Sequence, residues 1–340
     1  MKNFTSVSTN EEEQLVDEND KIIYDNVIRK YPWILRENQK CILSPDSDGL
    51  LSGLFMSNVL NWSIIGFYDG KVLTLKNGES TRDCIFLDME IFREYVKSLG
   101  HHMVLYNKRN KPEKWFNFSN CIQPNNIRGY DGKTTFNLKY PLGAIHLLLG
   151  IVGHKIMVDI KDTAICPLLY TDGTFKNLFN YPDNCLSWLN FLCAEEKNNP
   201  LNTIFFNDQY TTYSLMIALS NFFKRLRVLN NGSRGGDKIK ISNSNGEPVN
   251  LIKQNDYFSL SNESKENAIK FLNILAELTG WEFISKNWIF DNFSVYKFKK
   301  EKIIPSNQRF NELMEKNPLS WAMTSSSAIE YTLENPDKLP

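Results

Sequence analysis

Lys40-Cys41-Ile42-Leu43-Ser44-Pro45-Asp46-Ser47-Asp48-Gly49-Leu50-Leu51 is the stretch on which the reading of this chain turns. Its first four residues form a short apolar run that enters an acidic turn without a polar spacer. From Gly49 to Leu60 apolar residues recur at Leu50, Leu51, Leu54, Phe55, Val59 and Leu60. That order is strand, acidic turn, helix. Taken alone, Asp-x-Asp-Gly is also a good helix N-cap, because both carboxylates can accept from free backbone N–H groups.

Outward from this point the alternation continues. Trp62 to Phe67 reads as a strand ending at Tyr68-Asp69-Gly70, and Cys84 to Leu87 as another ending at Asp88. Ala164 to Tyr170 is expected to be a further strand, closing at Thr171-Asp172-Gly173-Thr174. Helices are expected over Asp20–Leu35, Pro141–Lys155, Asn184–Cys193, Thr212–Leu229 and Ser264–Thr279, the last capped by Gly280. Trp281–Ser285 and Phe293–Lys299 resemble strands, and the tail offers helical pieces at Phe310–Met314 and Trp321–Leu333. The expected class is α/β, a mostly parallel sheet flanked by helices, followed by a smaller α+β C-terminal domain. The expected divisions are an acidic leader over 1–20, a metal-binding domain over 21–195, a substrate-binding unit over 196–300 and a helical tail over 301–340.

Composition narrows the class without choosing a function. The 340 residues carry 39 Lys+Arg against 39 Asp+Glu, so no net charge draws the chain to nucleic acid or membrane. The six cysteines are scattered, with no CxxC pair, and read as buried thiols in a reducing compartment. The polar N-terminus lacks a signal-peptide pattern, and the longest apolar run, Ile145 to Val152, is too short to span a bilayer. The expected location is the cytoplasm.

Carboxylates at the carboxyl ends of parallel strands meet in one crevice, where hard oxygen ligands suit Mg²⁺ or Mn²⁺. Asp46, Asp48, Asp88 and Asp172 are candidates of this kind, and His101 and His102 add nitrogens that Mn²⁺ accepts more readily. The remaining histidines, His146 and His154, sit on an apolar helix and read as core residues. Trp115, Phe116 and Phe118, near Asn125, read first as packing residues, with stacking of a base at the cleft as the sharper alternative and Asn125 as a substrate contact. The loop Asn230–Asp237, with Arg234, Gly235 and Gly236, is the other candidate for substrate binding. Its bland alternative is a flexible connector, just as Lys224, Arg225 and Arg227 can be a solvated helix end.

The ordered series Ser44-Pro45-Asp46-Ser47-Asp48-Gly49, Leu87-Asp88, Gly100-His101-His102 and Thr171-Asp172-Gly173-Thr174 resembles the motifs of the DHH phosphoesterase superfamily over roughly residues 40 to 180. The superfamily includes RecJ-type exonucleases, nanoRNases, cyclic-dinucleotide phosphodiesterases and manganese pyrophosphatases. The resemblance implies two metals held by Asp46, Asp48, Asp88, His101, His102 and Asp172, with Asp46, Asp48 and the histidine pair also catalytic. It also implies a glycine-rich substrate loop, for which Arg234-Gly235-Gly236 is the match. Gly100, Ile42 and Ser44 stand where members carry an aspartate, a histidine and an aspartate. Three functions follow as expectations. The first is a Mn²⁺-dependent phosphodiesterase acting on nucleotides, oligonucleotides or single-stranded nucleic acid. The second is a binding or assembly subunit of the same fold without catalysis, joined to itself or to a partner protein through the leader or tail. The third, ranked last, is a PP-loop-like ATP user, in which Asp46 would repel phosphate.

Overall fold

The computed structural model describes residues 14–208, 210–229 and 236–340. Its strands in chain order are β1 (Lys40–Leu43), β2 (Ser63–Tyr68), β3 (Val72–Lys76), β4 (Cys84–Leu87), β5 (Lys97–Leu99), β6 (Cys121–Ile122), β7 (Leu251–Gln254), β8 (Tyr257–Leu260), β9 (Phe293–Lys297), β10 (Lys299–Ile303), β11 (Ser320–Ser325) and β12 (Ala328–Leu333). Nine of them form one sheet in the order β6-β5-β4-β1-β2-β3-β9-β8-β7, and β10-β12-β11 form a second. The α/β class is as expected, with helices on the large sheet and a smaller sheet at the C-terminal end.

The five strands β6-β5-β4-β1-β2 are parallel. They are short and almost wholly buried, as strands covered on both faces must be. The chain leaves β1 toward β2 on one side, then returns to place β4 on the other side and continues to β5 and β6. The connections therefore part at the carboxyl ends of β1 and β4, where open α/β sheets bind ligands. The antiparallel remainder, β3-β9-β8-β7, carries the sheet away from that point.

Helix Ser47–Leu60 follows β1 and is buried on nearly every side, packed on helices Ala144–Gly153 and Asn262–Thr279. Helix Asn262–Thr279 ends at Gly280 in the left-handed conformation, φ 75°, as its sequence predicts. One continuous hydrophobic core runs from Ile22 to Phe293. Because β7, β8 and β9 belong to the same sheet and core, residues 196–300 are not the separate unit expected.

Three local expectations are overturned. Ile165–Tyr170 is a helix rather than a strand. Its run of buried apolar residues carries no period that separates the two. Trp281–Ser285 joins no ladder, and Trp281 instead packs on Phe55 with ring centroids 4.9 Å apart. Trp321–Leu333 is the hairpin β11–β12 rather than a helix, so the tail is helical only at Asn307–Glu315. The inward residues of β11 and β12, Trp321, Met323, Ile329 and Tyr331, recur every second position, the strand period.

The small sheet is fastened to the large one beside the site. Trp321 Nε1 donates to the Val104 carbonyl at 2.7 Å, and Met323 N donates to the Met103 carbonyl at 2.9 Å. The buried Arg93 guanidinium donates to the Pro318 carbonyl at 2.9 Å and to Glu334 Oε2 at 2.7 Å. Trp115 and Phe118 belong to the same aromatic cluster as Phe92 and Trp321, so packing rather than base stacking explains them. The final carbonyl, of Pro340, accepts from Thr81 N at 3.0 Å, so the tail is docked on its own chain. No helix among the described residues is long and apolar enough to cross a membrane.

Gly49 is required by this geometry, since a Cβ there would overlap the Ser44 carbonyl and lie 2.8 Å from its carbon. Gly49→Ala is expected to cost about 1–3 kcal/mol, as overpacking against backbone does. Denaturant unfolding measures this, and an unchanged midpoint would show that the turn opens freely.

Candidate metal centre

Each chemical side chain reaches the centre from the end of a structural element. Asp46 caps helix Ser47–Leu60: its Oδ1 accepts from Asp48 N and Gly49 N, both at 3.0 Å. Asp48, inside the first turn, is fully buried and turned toward another helix. Its Oδ2 accepts from Ala144 N at 2.5 Å and its Oδ1 from Ile145 N at 3.0 Å, at the start of Ala144–Gly153. The capping reading of the acidic turn is thus realised for both aspartates. It does not exclude metal binding, because an ionised carboxylate offers about four lone-pair sites.

Asp88 follows β4, and His101 and His102 follow β5 by way of Gly100. Asp172 arrives differently. It lies between helices Ile165–Tyr170 and Thr174–Asn180, in the left-handed conformation at φ 50°. A turn between helices, not a strand end, delivers it.

One ligand atom each from Asp48, Asp88, His101 and Asp172 lies within 4.8 Å of all the others. His101 Nε2 is 2.8 Å from Asp172 Oδ2, and its Nδ1 is 3.2 Å from Asp88 Oδ1 and 3.8 Å from Asp48 Oδ2. Asp88 Oδ1 and His101 Nδ1 are buried and neither makes a hydrogen bond. Buried polar atoms normally have partners, and a cation shared by these two, 3.2 Å apart, would satisfy both. This buried Asp/His cluster can hold a metal ion. Asp46 and His102 lie outside the four-residue set, and it is the single cluster of its kind among the described residues.

The electrostatics agree. Burial raises the pKa of Asp48 well above the carboxylate range, and Asp88 and Asp172 add to it. Burial does the same for Asp88, with Asp46 adding to it. Burial also raises Asp46, helped by Asp172 and opposed by the Gly49 N–H. For Asp172, burial pushes upward, but His101 outweighs it and brings the group down to about 2. His101 is lowered by burial and raised more by Asp172 and Asp88, ending well above the ordinary imidazole value. Without a cation the centre is an Asp172–His101 ion pair among carboxylates pushed toward the neutral form.

Two cavities meet here. A chamber of about 260 Å³ is lined by Asp46, Asp69, Asp88, Glu90, Asp172 and Asp237, together with Lys300. Burial, with Asp46 and Asp69 nearby, raises Asp237 to about 6. A second cavity, a cleft of about 1040 Å³, is bounded by Phe136–Leu142, by residues of the 177–184 segment and by the tip of the β11–β12 hairpin. His102, Asp172 and Thr324 line both.

The other expected site residues divide. Asn125 is fully buried: its Nδ2 donates to the His101 carbonyl at 3.0 Å and its Oδ1 accepts from Tyr140 N at 2.8 Å. It positions the histidine and cannot reach a substrate. Arg234 and Gly235 lie outside the described residues. Gly236, at φ 75°, leads into Asp237 and Lys238, and Lys238 N donates to the Pro45 carbonyl at 2.8 Å. The glycine loop therefore ends against the acidic turn. His146 is buried with Nδ1 accepting from Gly143 N at 3.1 Å, and burial lowers it to about 4, as suits a neutral core histidine. Arg225 pairs with Glu277 at 2.6 Å on an exposed helix end. Sequence reasoning missed Glu90, Lys139 and Thr324. Glu90 follows Asp88 by two residues and offered that signal; the other two stood in segments read as connector or helix.

The raised groups bind protons more tightly when folded, so the stability they contribute is complete below their unfolded pKa and is lost as pH rises through the folded one. Asp172, lowered to about 2, acts in the opposite sense and only in acid. With chelator present, the melting temperature is expected to fall as pH is raised above about 6.5, the ordinary histidine value. Saturating Mn²⁺ should flatten that slope, because the cation replaces the protons. Identical slopes with and without metal, measured by calorimetry, would count against the centre.

No protein-family model, no curated protein and no solved structure matches the chain.

Proposed function

We propose that this protein is a metal-dependent phosphoesterase of DHH type that hydrolyses phosphoester bonds in nucleotides, oligonucleotides or single-stranded nucleic acid, with Mn²⁺ or Mg²⁺ as cofactor. The observation that carries the reading is the cluster of Asp48, Asp88, His101 and Asp172 where the sheet's connections part, opening into a nucleotide-sized cleft. Three carboxylate oxygens and one imidazole suit Mn²⁺ better than a softer metal. A bound divalent cation supplies Lewis-acid polarisation of a phosphoryl oxygen and makes water a better nucleophile.

The chain's own residues do the rest. The acidic chamber repels phosphate, so the substrate enters from the cleft. There Lys139 supplies positive charge, its ammonium 4.7 Å from the centre of the Phe136 ring and its pKa lowered by burial. Phe136, Tyr140 and Tyr181 offer ring surface, and Asn177, Asn180 and Asn184 offer polar contacts. The hairpin tip at Ser325 and Ser326 contributes two hydroxyls to the cleft lining. With all six cysteines present as thiols, we place the protein in the cytoplasm.

A second reading, a binding or assembly subunit without catalysis, is favoured by one observation. Asp46 and His102, needed for a second ion, stand outside the single cluster among the described residues, and one ion cannot clamp both the attacking and the leaving oxygen. The test is hydrolysis of a panel of dinucleotides, short oligonucleotides and single-stranded DNA with Mn²⁺, together with metal analysis. Asp88→Asn is expected to abolish Mn²⁺ retention and to lower the rate by about a thousandfold, several kcal/mol of transition-state stabilisation. Lys139→Met should raise KM by about tenfold to a hundredfold with little change in kcat, the loss of one charge-assisted contact. Tight Mn²⁺ binding without turnover of any substrate would support the second reading.

A further inference from the structure

Position 100 is glycine for a reason visible in the fold. A Cβ at Gly100 would overlap the Glu90 carboxyl carbon, 2.5 Å from Oε1 and 2.9 Å from Cγ. The space a side chain would occupy is already filled by a carboxylate from the loop after β4. That carboxylate is buried, 4% exposed, and both of its oxygens face one residue. Oε1 accepts from His102 N at 2.6 Å, and Oε2 lies 3.2 Å from His102 Nδ1.

The His102 ring is stacked on His101 with centroids 4.3 Å apart. Its carbonyl accepts from Gln123 Nε2, so the backbone is held as well as the ring. The side chain is nevertheless 41% exposed, and it lines both the acidic chamber and the larger cleft. An ionised carboxylate beside Nδ1 can only accept, so Nδ1 must carry the proton. In the neutral ring Nε2 is then an acceptor. The partner of one ring nitrogen fixes the role of the other.

We infer that Glu90 is a positioning residue that fills the room left by Gly100 and holds His102 as the Nδ1–H tautomer, presenting Nε2 as an acceptor at the mouth shared by the two cavities. The ligand it accepts from is an O–H donor, a water or a substrate hydroxyl. Only that last step rests on the phosphoesterase reading; the geometry of the pair does not.

The experiment is long-range ¹⁵N–¹H correlation of histidine-labelled full-length protein at about pH 8, well above the ordinary histidine pKa. Wild-type His102 is expected to show the Nδ1–H pattern. In Glu90→Gln the His102 backbone N–H claims the amide oxygen, leaving the amide NH₂ against Nδ1, which must then accept. The pattern is expected to switch to Nε2–H. A wild-type Nε2–H or imidazolium pattern, or one that Glu90→Gln leaves unchanged, would overturn the inference.

Because a core substitution can unfold the chain, a second measurement reads the shared space directly. Gly100→Ala should lower the melting temperature in the wild-type background and have little effect in Glu90→Ala, since neighbours in contact do not add. An equal loss in both backgrounds would overturn the claim that the two positions share one space. Neither readout needs bound metal or turnover, so a failed hydrolysis assay would count against the phosphoesterase reading alone.

Discussion

The arrangement depends on one buried interaction, the Asp48 carboxylate set against the first N–H groups of helix Ala144–Gly153. A helix N-terminus leaves several N–H groups without partners and carries partial positive charge, so a carboxylate there is stabilised on both counts. Asp48 belongs to the turn after β1, and the helix it caps lies nearly a hundred residues further on. The contact therefore fixes the acidic turn against the layer of helices. Gly143, just before that helix, has no room for a side chain, because a Cβ would lie 2.8 Å from Asp48 Oδ2 and 2.9 Å from Thr171 Cγ2. The same small space holds Asp48, the helix start and the approach to Asp172.

Once Asp48 is fixed, the sheet supplies the rest. Parallel strands that are neighbours in the sheet end at the same edge, so β1, β4 and β5 deliver Asp46, Asp88 and the histidine pair together. The sixth strand delivers Gln123 and Asn125, which hold the carbonyls of His102 and His101. Burial first, and then repulsion between carboxylates so close, raises the pKa values of Asp48 and Asp88, which expresses the cost of charging them here. A cation removes it, which is the physical sense in which the cluster is unfinished without one.

The parts of this arrangement that could be read from sequence are those where pattern and chemistry coincide. The strand-turn-helix at Lys40–Leu60 and the strand at Cys84–Leu87 announce themselves by apolar runs that end in aspartates. Asp172 reaches the cluster by a route its local pattern does not encode, since the apolar run before it is a helix and its own backbone is a left-handed turn. Burial on all sides erases the period that separates helix from strand. Within Trp321–Leu333 the strand period is carried by two short runs, Trp321 with Met323 and Ile329 with Tyr331, and the pairing of β11 with β12 decides for a hairpin. The distant wall of the site, built from that hairpin, is a tertiary fact that no local pattern encodes.

Glu90 shows how a motif and its chemistry can separate. Against the resemblance, Gly100 looks like a lost carboxylate and so like a damaged site. In the fold a carboxylate does lie beside position 100, that of Glu90 two residues after Asp88, and the glycine leaves room for it. A sequence comparison registers only the residue at position 100, whereas the imidazole of His102 responds to the nearest oxygen whatever strand supplies it. Departure from a motif is therefore weak evidence against a chemistry until the space around the missing side chain has been examined. Here that space is filled by a buried carboxylate, and it is to this group that the imidazole of His102 answers.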